Sequence, residues 1–252
     1  MLLTSRLLAG VPHGFSTREG GVSAGPFASL NLGRSVGDEP ERVAENGRRF
    51  AAALGLRPGQ IRSANQVHGE AILEETEAAR GEEIPPALGD ADAVITGERG
   101  VAVGVRTADC VPILLYAPDV GAVAAVHAGW RGAVLAIAAR AVAQLSSRYG
   151  ADPRRMLAAI GPSIRGCCYE VGEDVARRFD ERFGAGVTLR SGGGGPRLDL
   201  AEANRRALAG AGLPPQNVEV LGHCTACEPD RFFSHRRDHG RSGRHLSAIV
   251  LP

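Results

Sequence analysis

Four short apolar runs crowd the middle of the chain: ADAVIT (Ala91–Thr96), VAVGV (Val101–Val105), VPILLY (Val111–Tyr116) and GAVAAV (Gly121–Val126). Each has strand length, and most are bounded by Gly, Pro or Asp, so they read as β-strands with buried faces. The period then changes. Val134, Ile137, Ala138, Ala141 and Leu145 recur at helical spacing between Ala133 and Tyr149, and Gly150 closes the segment. Upstream, Asp38 as a cap and Pro40 in the first turn open a helix that runs to about Leu54. Downstream, LAAIG is a strand, GEDVARRFDERFG and AEANRRALAGAG are helices, and VEVLG and HLSAIVL are late strands. EETEAARGEEIPPALG reads as a polar surface excursion and SGGGGPR as a flexible loop. Strands therefore come both in a run and interleaved with helices, with no internal repeat and no linker. This predicts one α+β domain over residues 1–252 rather than a regular parallel α/β fold.

Composition matters mainly through what it excludes. All 29 basic residues are arginine and none is lysine. A Walker lysine, a pyridoxal Schiff base and a lysine general base are therefore ruled out together. Arginine suits bidentate binding of phosphate or carboxylate. A formal net charge of +1 favours neither nucleic acid nor an anionic membrane as partner. No apolar run approaches the ~18 residues of a membrane span, and the N-terminal MLLTSRLLAGVPHGF is too short for an export signal, so a soluble cytoplasmic protein is expected. The five cysteines, an odd number without an export signal, argue against a disulfide framework. Cys224 and Cys227 have CxxC spacing, and Cys167 with Cys168 could complete a four-thiolate site, but packing within loops is the expectation for all four.

Candidate chemistry collects at element ends. In AVHAGWRGAV a strand hands over to a helix through His127, Gly129, Trp130, Arg131 and Gly132. A helix start with glycines and an arginine suits an anion, and a tight turn plugged by Trp130 suits the same residues. Cys110 follows Arg106, Thr107 and Asp109 in VRTADCVPILLY, a placement that suits a strand end opening onto a site. His68 lies in the loop NQVHGE. His68, Cys110 and His127 could hold a catalytic zinc that keeps one position open, or Cys110 could be a nucleophile with either histidine as its base. Spacing does not decide between these. Arg18, in FSTREGGVS, sits in an anion-facing turn or a plain hairpin turn, and the His- and Arg-rich FFSHRRDHGRSGRH reads as an anion-facing or solvated loop.

FSTREGGVS, SLNLG, NQVHG, ADAVIT, TADCVPILL, AAVHAGWRG, IGPSIRGCCYEVG and FFSHRRD together resemble the YfiH-like family. Its members have been labelled multicopper polyphenol oxidoreductase or laccase, peptidoglycan editing factor, and purine nucleoside phosphorylase. The resemblance implies a single mixed α/β sandwich, grouped with cytotoxic-necrotizing-factor-type cysteine hydrolases. It also implies a metal site, zinc or else copper, on His68, Cys110 and His127. The implied activity is phosphorolysis of adenosine, inosine or methylthioadenosine to base and ribose 1-phosphate, with adenosine deamination beside it. The small-molecule partners would be nucleoside and phosphate. A peptidoglycan-precursor amidase using the same Cys/His site is the alternative. Laccase chemistry is disfavoured because several coppers need more clustered histidines than the seven scattered here. For such a reaction Arg18, Gly129 and Arg131 are expected to meet the anion, and Asp109 to orient a ligand or carry a proton.

Overall fold

The computed structural model describes residues 1–57, 59–77, 85–190 and 194–251. Its strands are β1 (Leu2–Leu3), β2 (His13–Ser16), β3 (Ile61–Arg62), β4 (Ile72–Glu74), β5 (Ala93–Thr96), β6 (Ala102–Thr107), β7 (Val111–Ala117), β8 (Ala122–Ala128), β9 (Leu157–Ile160), β10 (Thr188–Leu189), β11 (Arg197–Leu198), β12 (Val218–Val220) and β13 (His245–Val250). Its α-helices are α1 (Pro40–Ala53), α2 (Trp130–Val134), α3 (Ile137–Tyr149), α4 (Glu173–Phe183) and α5 (Leu200–Gly210).

Two large mixed sheets form, in the orders β1-β2-β13-β6-β3 and β12-β9-β7-β8-β5-β4, together with the small hairpin β10-β11. The four central apolar runs do not share one sheet. β5, β7 and β8 pair antiparallel, whereas β6 joins the other sheet beside β13. Pairing by hydrogen bonds is invisible to hydropathy, since either sheet offers β6 two buried faces.

Alternation of side chains along each strand then sorts residues between layers. Val94, Leu114, Val123 and Ala125 of the six-stranded sheet meet Phe15, Val103, Val105 and Ile249 of the five-stranded one. Their neighbours Ile95, Ile113, Leu115 and Val126 face the opposite way, against Ile137, Ala141, Leu145, Ala201 and Leu208 of α3 and α5. Phe50 of α1 covers Ala102, Leu246, Ala248 and Val250 on the outer face of the five-stranded sheet. The layers thus run helix, sheet, sheet, helices. β7 carries bulky side chains on both faces, and each fully buried Ile or Leu there contributes roughly 1.5–3 kcal/mol.

Three local expectations need correction. The helix expected from Ala133 to Tyr149 is broken, because Ala136 takes a left-handed conformation (φ 58°) between α2 and α3. α1 is capped one residue later than expected, with Asp38 accepting from the Glu39 N–H while Glu39 occupies the cap position. The polar excursion begins with a buried anchor, since Glu75 pairs with Arg62 at 2.6 Å. Part of that stretch, residues 78–84, and residues 191–193 of the glycine-rich loop lie outside the described residues. No helix among the described residues is long and apolar enough to cross a membrane.

Candidate metal centre

β8 runs antiparallel to both β5 and β7, so it ends where they begin. At that end, Asp92 and His127 continue the rows of Val94 and Ala125 on the face turned toward the second sheet. Cys110 immediately precedes Val111 on the neighbouring strand, and His127 pairs in register with Pro112. Strand order alone therefore gathers a carboxylate, an imidazole and a thiol at one edge of the inter-sheet core.

The loop carrying His68 is folded onto this edge by hydrogen bonds. Gln66 clamps β6, its amide donating to the Arg106 carbonyl and accepting from the Arg106 N–H, both at 2.7 Å. His68 itself adopts a left-handed conformation (φ 60°). The turn directs the N–H groups of Val67, His68 and Gly69 at the Asp92 carboxylate, at 3.3, 3.0 and 2.6 Å. The same carboxylate accepts from His127 Nδ1 at 2.7 Å. Asp92 is fully buried and spends both oxygens on this task. It fixes the His127 tautomer and leaves Nε2 toward Cys110, as carboxylates do behind metal-binding histidines.

The donor atoms of His68, Cys110 and His127 lie within 4.8 Å of one another, graded from exposed through half-buried to buried. Cys110 Sγ stands 3.9 Å from His68 Nε2, and the two imidazoles meet edge to face. Burial alone would raise the Cys110 thiol, but the charges and hydrogen bonds of His127 and His68 outweigh it and hold the thiol low. His127 is driven the other way, its burial outweighed by Cys110 and Asp92, so the pair favours thiolate and imidazolium. Two imidazoles and a thiolate-prone sulfur with one open side match the donor set of a three-ligand zinc or copper site.

The glycines of HAGWRG are required by this packing. A Cβ on Gly129 would stand 2.9 Å from His68 Cδ2 and 3.3 Å from Cys110 Sγ. One on Gly132 would stand 2.9 Å from the Gly69 carbonyl. Both glycines let the His68 loop reach its partners.

The open side gives onto a cleft of about 450 Å³ whose wall includes His68, Cys110, His127, Gln66, His235 and three arginines, Arg34, Arg106 and Arg244. Such a volume accommodates a ligand of nucleoside size. Arg34 donates to the Pro85 carbonyl, Arg106 to the Leu32 carbonyl and the Ser63 hydroxyl, and Arg244 to the Ser242 and Gly243 carbonyls. None of the three pairs with a carboxylate among the described residues. Burial lowers the pKa of each, that of Arg106 to about 9.

Arg18 and Arg131 are not on this wall. Arg18 stacks 4.7 Å over the Phe233 ring and donates to the carbonyls of Ala28 and Pro229, so its guanidinium holds backbone together. Arg131 is exposed and lies 4.6 Å over Trp130. Asp109, in a left-handed conformation (φ 89°), accepts from the Thr225 hydroxyl at 2.6 Å and the Arg236 N–H at 2.7 Å. Its carboxylate thereby holds the turn that presents Cys110. Asp92 and Arg34 escaped the sequence reading, whereas Arg244 belongs to the stretch FFSHRRDHGRSGRH, read as an anion-facing or solvated loop. Only Asp92 left a signal, a charge at the head of an otherwise apolar strand.

The sequence profile of the family described as multi-copper polyphenol oxidoreductase laccase matches residues 12–252. A purine nucleoside phosphorylase of Deinococcus radiodurans is 45% identical over 242 residues, covering 96% of this chain and 90% of that one. An adenosine deaminase, RL5, from an unknown prokaryotic organism is 38% identical over 242 residues, covering 93% and 92%. Among solved structures, YlmD of Geobacillus stearothermophilus superposes with a TM-score of 0.92 at 39% identity, over 98% of this chain and 94% of that one. The hypothetical protein YfiH of Bacillus licheniformis gives 0.92 at 35% identity, over 100% and 96%. The chain belongs to the multi-copper polyphenol oxidoreductase laccase family.

Proposed function

We propose that this chain is a metal-dependent purine nucleoside phosphorylase that converts adenosine or inosine and phosphate to the free base and ribose 1-phosphate. The observation that carries this reading is the union, in one cleft, of the His68–Cys110–His127 donors with Arg34, Arg106 and Arg244, three guanidinium groups that pair with no carboxylate among the described residues. Phosphorolysis joins a phosphate oxygen to C1′ as the C1′–N9 bond breaks, and the bonding electrons leave with the purine. Two needs follow: the incoming dianion must be held, and the charge developing on the base must be stabilised. The arginines meet the first. A zinc ion on His68, Cys110 and His127 would supply Lewis-acid stabilisation for the second. Asp92 keeps His127 in register, and Gly129 keeps the floor of the site clear. Methylthioadenosine, which differs only at the 5′ position, would undergo the same bond exchange.

Deamination of adenosine at the same centre is a second reaction of this reading, favoured by the relative named adenosine deaminase. Multicopper oxidation is not. Among the described residues only two groups of candidate metal donors assemble, and only one of them contains histidine. The test is product analysis with adenosine, with and without phosphate, on protein of known metal content, beside His68→Ala and Cys110→Ala. Adenine and ribose 1-phosphate that require phosphate and vanish in both variants are expected. Inosine as the sole product, or activity surviving both substitutions, would overturn the reading.

A further inference from the structure

The remaining four cysteines do not disperse into loop packing. Cys167 and Cys168 lie in the loop after β9, and Cys224 and Cys227 in the loop after β12. β9 and β12 are parallel neighbours, so both loops leave from the same end of the sheet. Pairing even continues past the strands, where the Thr225 N–H donates to the Ser163 carbonyl at 3.1 Å. Residues more than fifty positions apart are thereby stacked at one point.

There the four sulfurs lie within 4.8 Å of one another. Cys167 Sγ is 3.5 Å from both Cys224 Sγ and Cys227 Sγ, and Cys168 Sγ is 3.2 Å from Cys227 Sγ. Cys167 and Cys227 thus each have two sulfur neighbours. That is the arrangement of donors around a common centre and not of two separate disulfide pairs. Tetrahedral zinc with Zn–S bonds of about 2.3 Å holds its sulfurs roughly 3.8 Å apart, close to these separations. An iron–sulfur cubane, with one thiolate on each of four irons, would spread them further.

We propose that Cys167, Cys168, Cys224 and Cys227 bind a single zinc ion, a second metal site that braces the fold and takes no part in the chemistry of the cleft. This site stands independently of the reaction proposed above. Four protein ligands close the coordination sphere, as in structural zinc sites. Its mechanical reach is visible in Thr225, inside the CxxC knuckle, whose hydroxyl bonds Asp109 beside Cys110. Arg237 donates to the Thr225 carbonyl and so ties the knuckle to the segment carrying His235.

The full chain, purified without chelator or affinity tag, should carry two zinc ions by elemental analysis. Cys168→Ser and Cys227→Ser should each leave one, as should His68→Ala, and His68→Ala with Cys227→Ser should leave none. Cobalt substitution of the unmutated chain guards against variants that fail to fold. It should produce intense thiolate-to-cobalt charge-transfer absorption that persists in Cys110→Ser. A single zinc lost completely in His68→Ala would overturn the proposal. So would a zinc-loaded protein in which all four cysteines react as free thiols, or a native mass lower by the hydrogens of two disulfides.

Discussion

The two cysteine-containing clusters sit at the same end of the six-stranded sheet and are built on different principles. The centre in the cleft mixes two imidazoles with one thiol, grades from buried to exposed, and is backed by a carboxylate that orients one ligand. The other uses four thiols, two from each of two adjacent loops. An incomplete ligand set beside a cleft leaves a position for substrate, whereas a complete one leaves none and serves stability. Asp109 and Thr225 join the two, so the closed site steadies the turn on which the open one depends.

The sharpest way to break this contrast is His127→Ala, which should remove metal from the cleft and cut phosphorolysis about a thousandfold or more while the four-cysteine site keeps its zinc. Metal analysis and initial rates on one preparation check both halves. Asp92→Asn comes next. Without the carboxylate behind His127, metal affinity in the cleft should fall by ~10–100-fold, read by competition with a chelator. An unchanged affinity would mean that Asp92 serves the loop alone. Arg34→Ala and Arg244→Ala should each raise the KM for phosphate about tenfold, the loss of a charge-assisted hydrogen bond, with little effect on that for nucleoside. Arg131→Ala should change neither, and a phosphate effect there would return the anion to the helix start.

A pH effect tests the segment between the two centres. The buried ring of His245 accepts the Phe233 N–H at 2.9 Å. Burial, with the charges of Arg18, Arg244 and Arg237, pushes its pKa down to about 3. The folded pKa is below the unfolded one, so the stability contribution is complete above about pH 6.5 and is lost as pH falls toward 3, by roughly 1 kcal/mol at pH 5.5. Urea unfolding at pH 7.5 and 5.5 should show this loss, reduced in His245→Gln, and an identical pH dependence would remove His245 from the account. The smallest effect is expected from Thr225→Val, about 1 kcal/mol of stability and a few-fold loss of rate with both metals retained.

Much of this was legible in the sequence, for reasons that differ by region. The strands from Ala91 to Val126 announce themselves by hydropathy and punctuation, but β6 leaving its neighbours for the other sheet depends on hydrogen bonding that hydropathy does not record. His68, Cys110 and His127 could be named from motifs, whereas their local sequences alone left ligand and nucleophile readings open. Asp92 was hidden because aspartate before a strand is ordinary punctuation. Arg34 was hidden because its place on the cleft wall depends on meeting residues far along the chain, whereas the stretch carrying Arg244 already read as anion-facing or solvated. The four remaining cysteines were visible, but their meeting requires β9 and β12 to pair in parallel. The break at Ala136 has no residue-level signal, since alanine is a strong helix former.

The most direct test of phosphorolysis follows the oxygen atoms. Inosine is incubated with zinc-loaded protein and phosphate labelled throughout with oxygen-18, and the sugar product is weighed. Ribose 1-phosphate that retains all the phosphate oxygens, formed in step with hypoxanthine, is the predicted result. Free ribose carrying oxygen from water, with phosphate left untouched, would show hydrolysis and contradict the account.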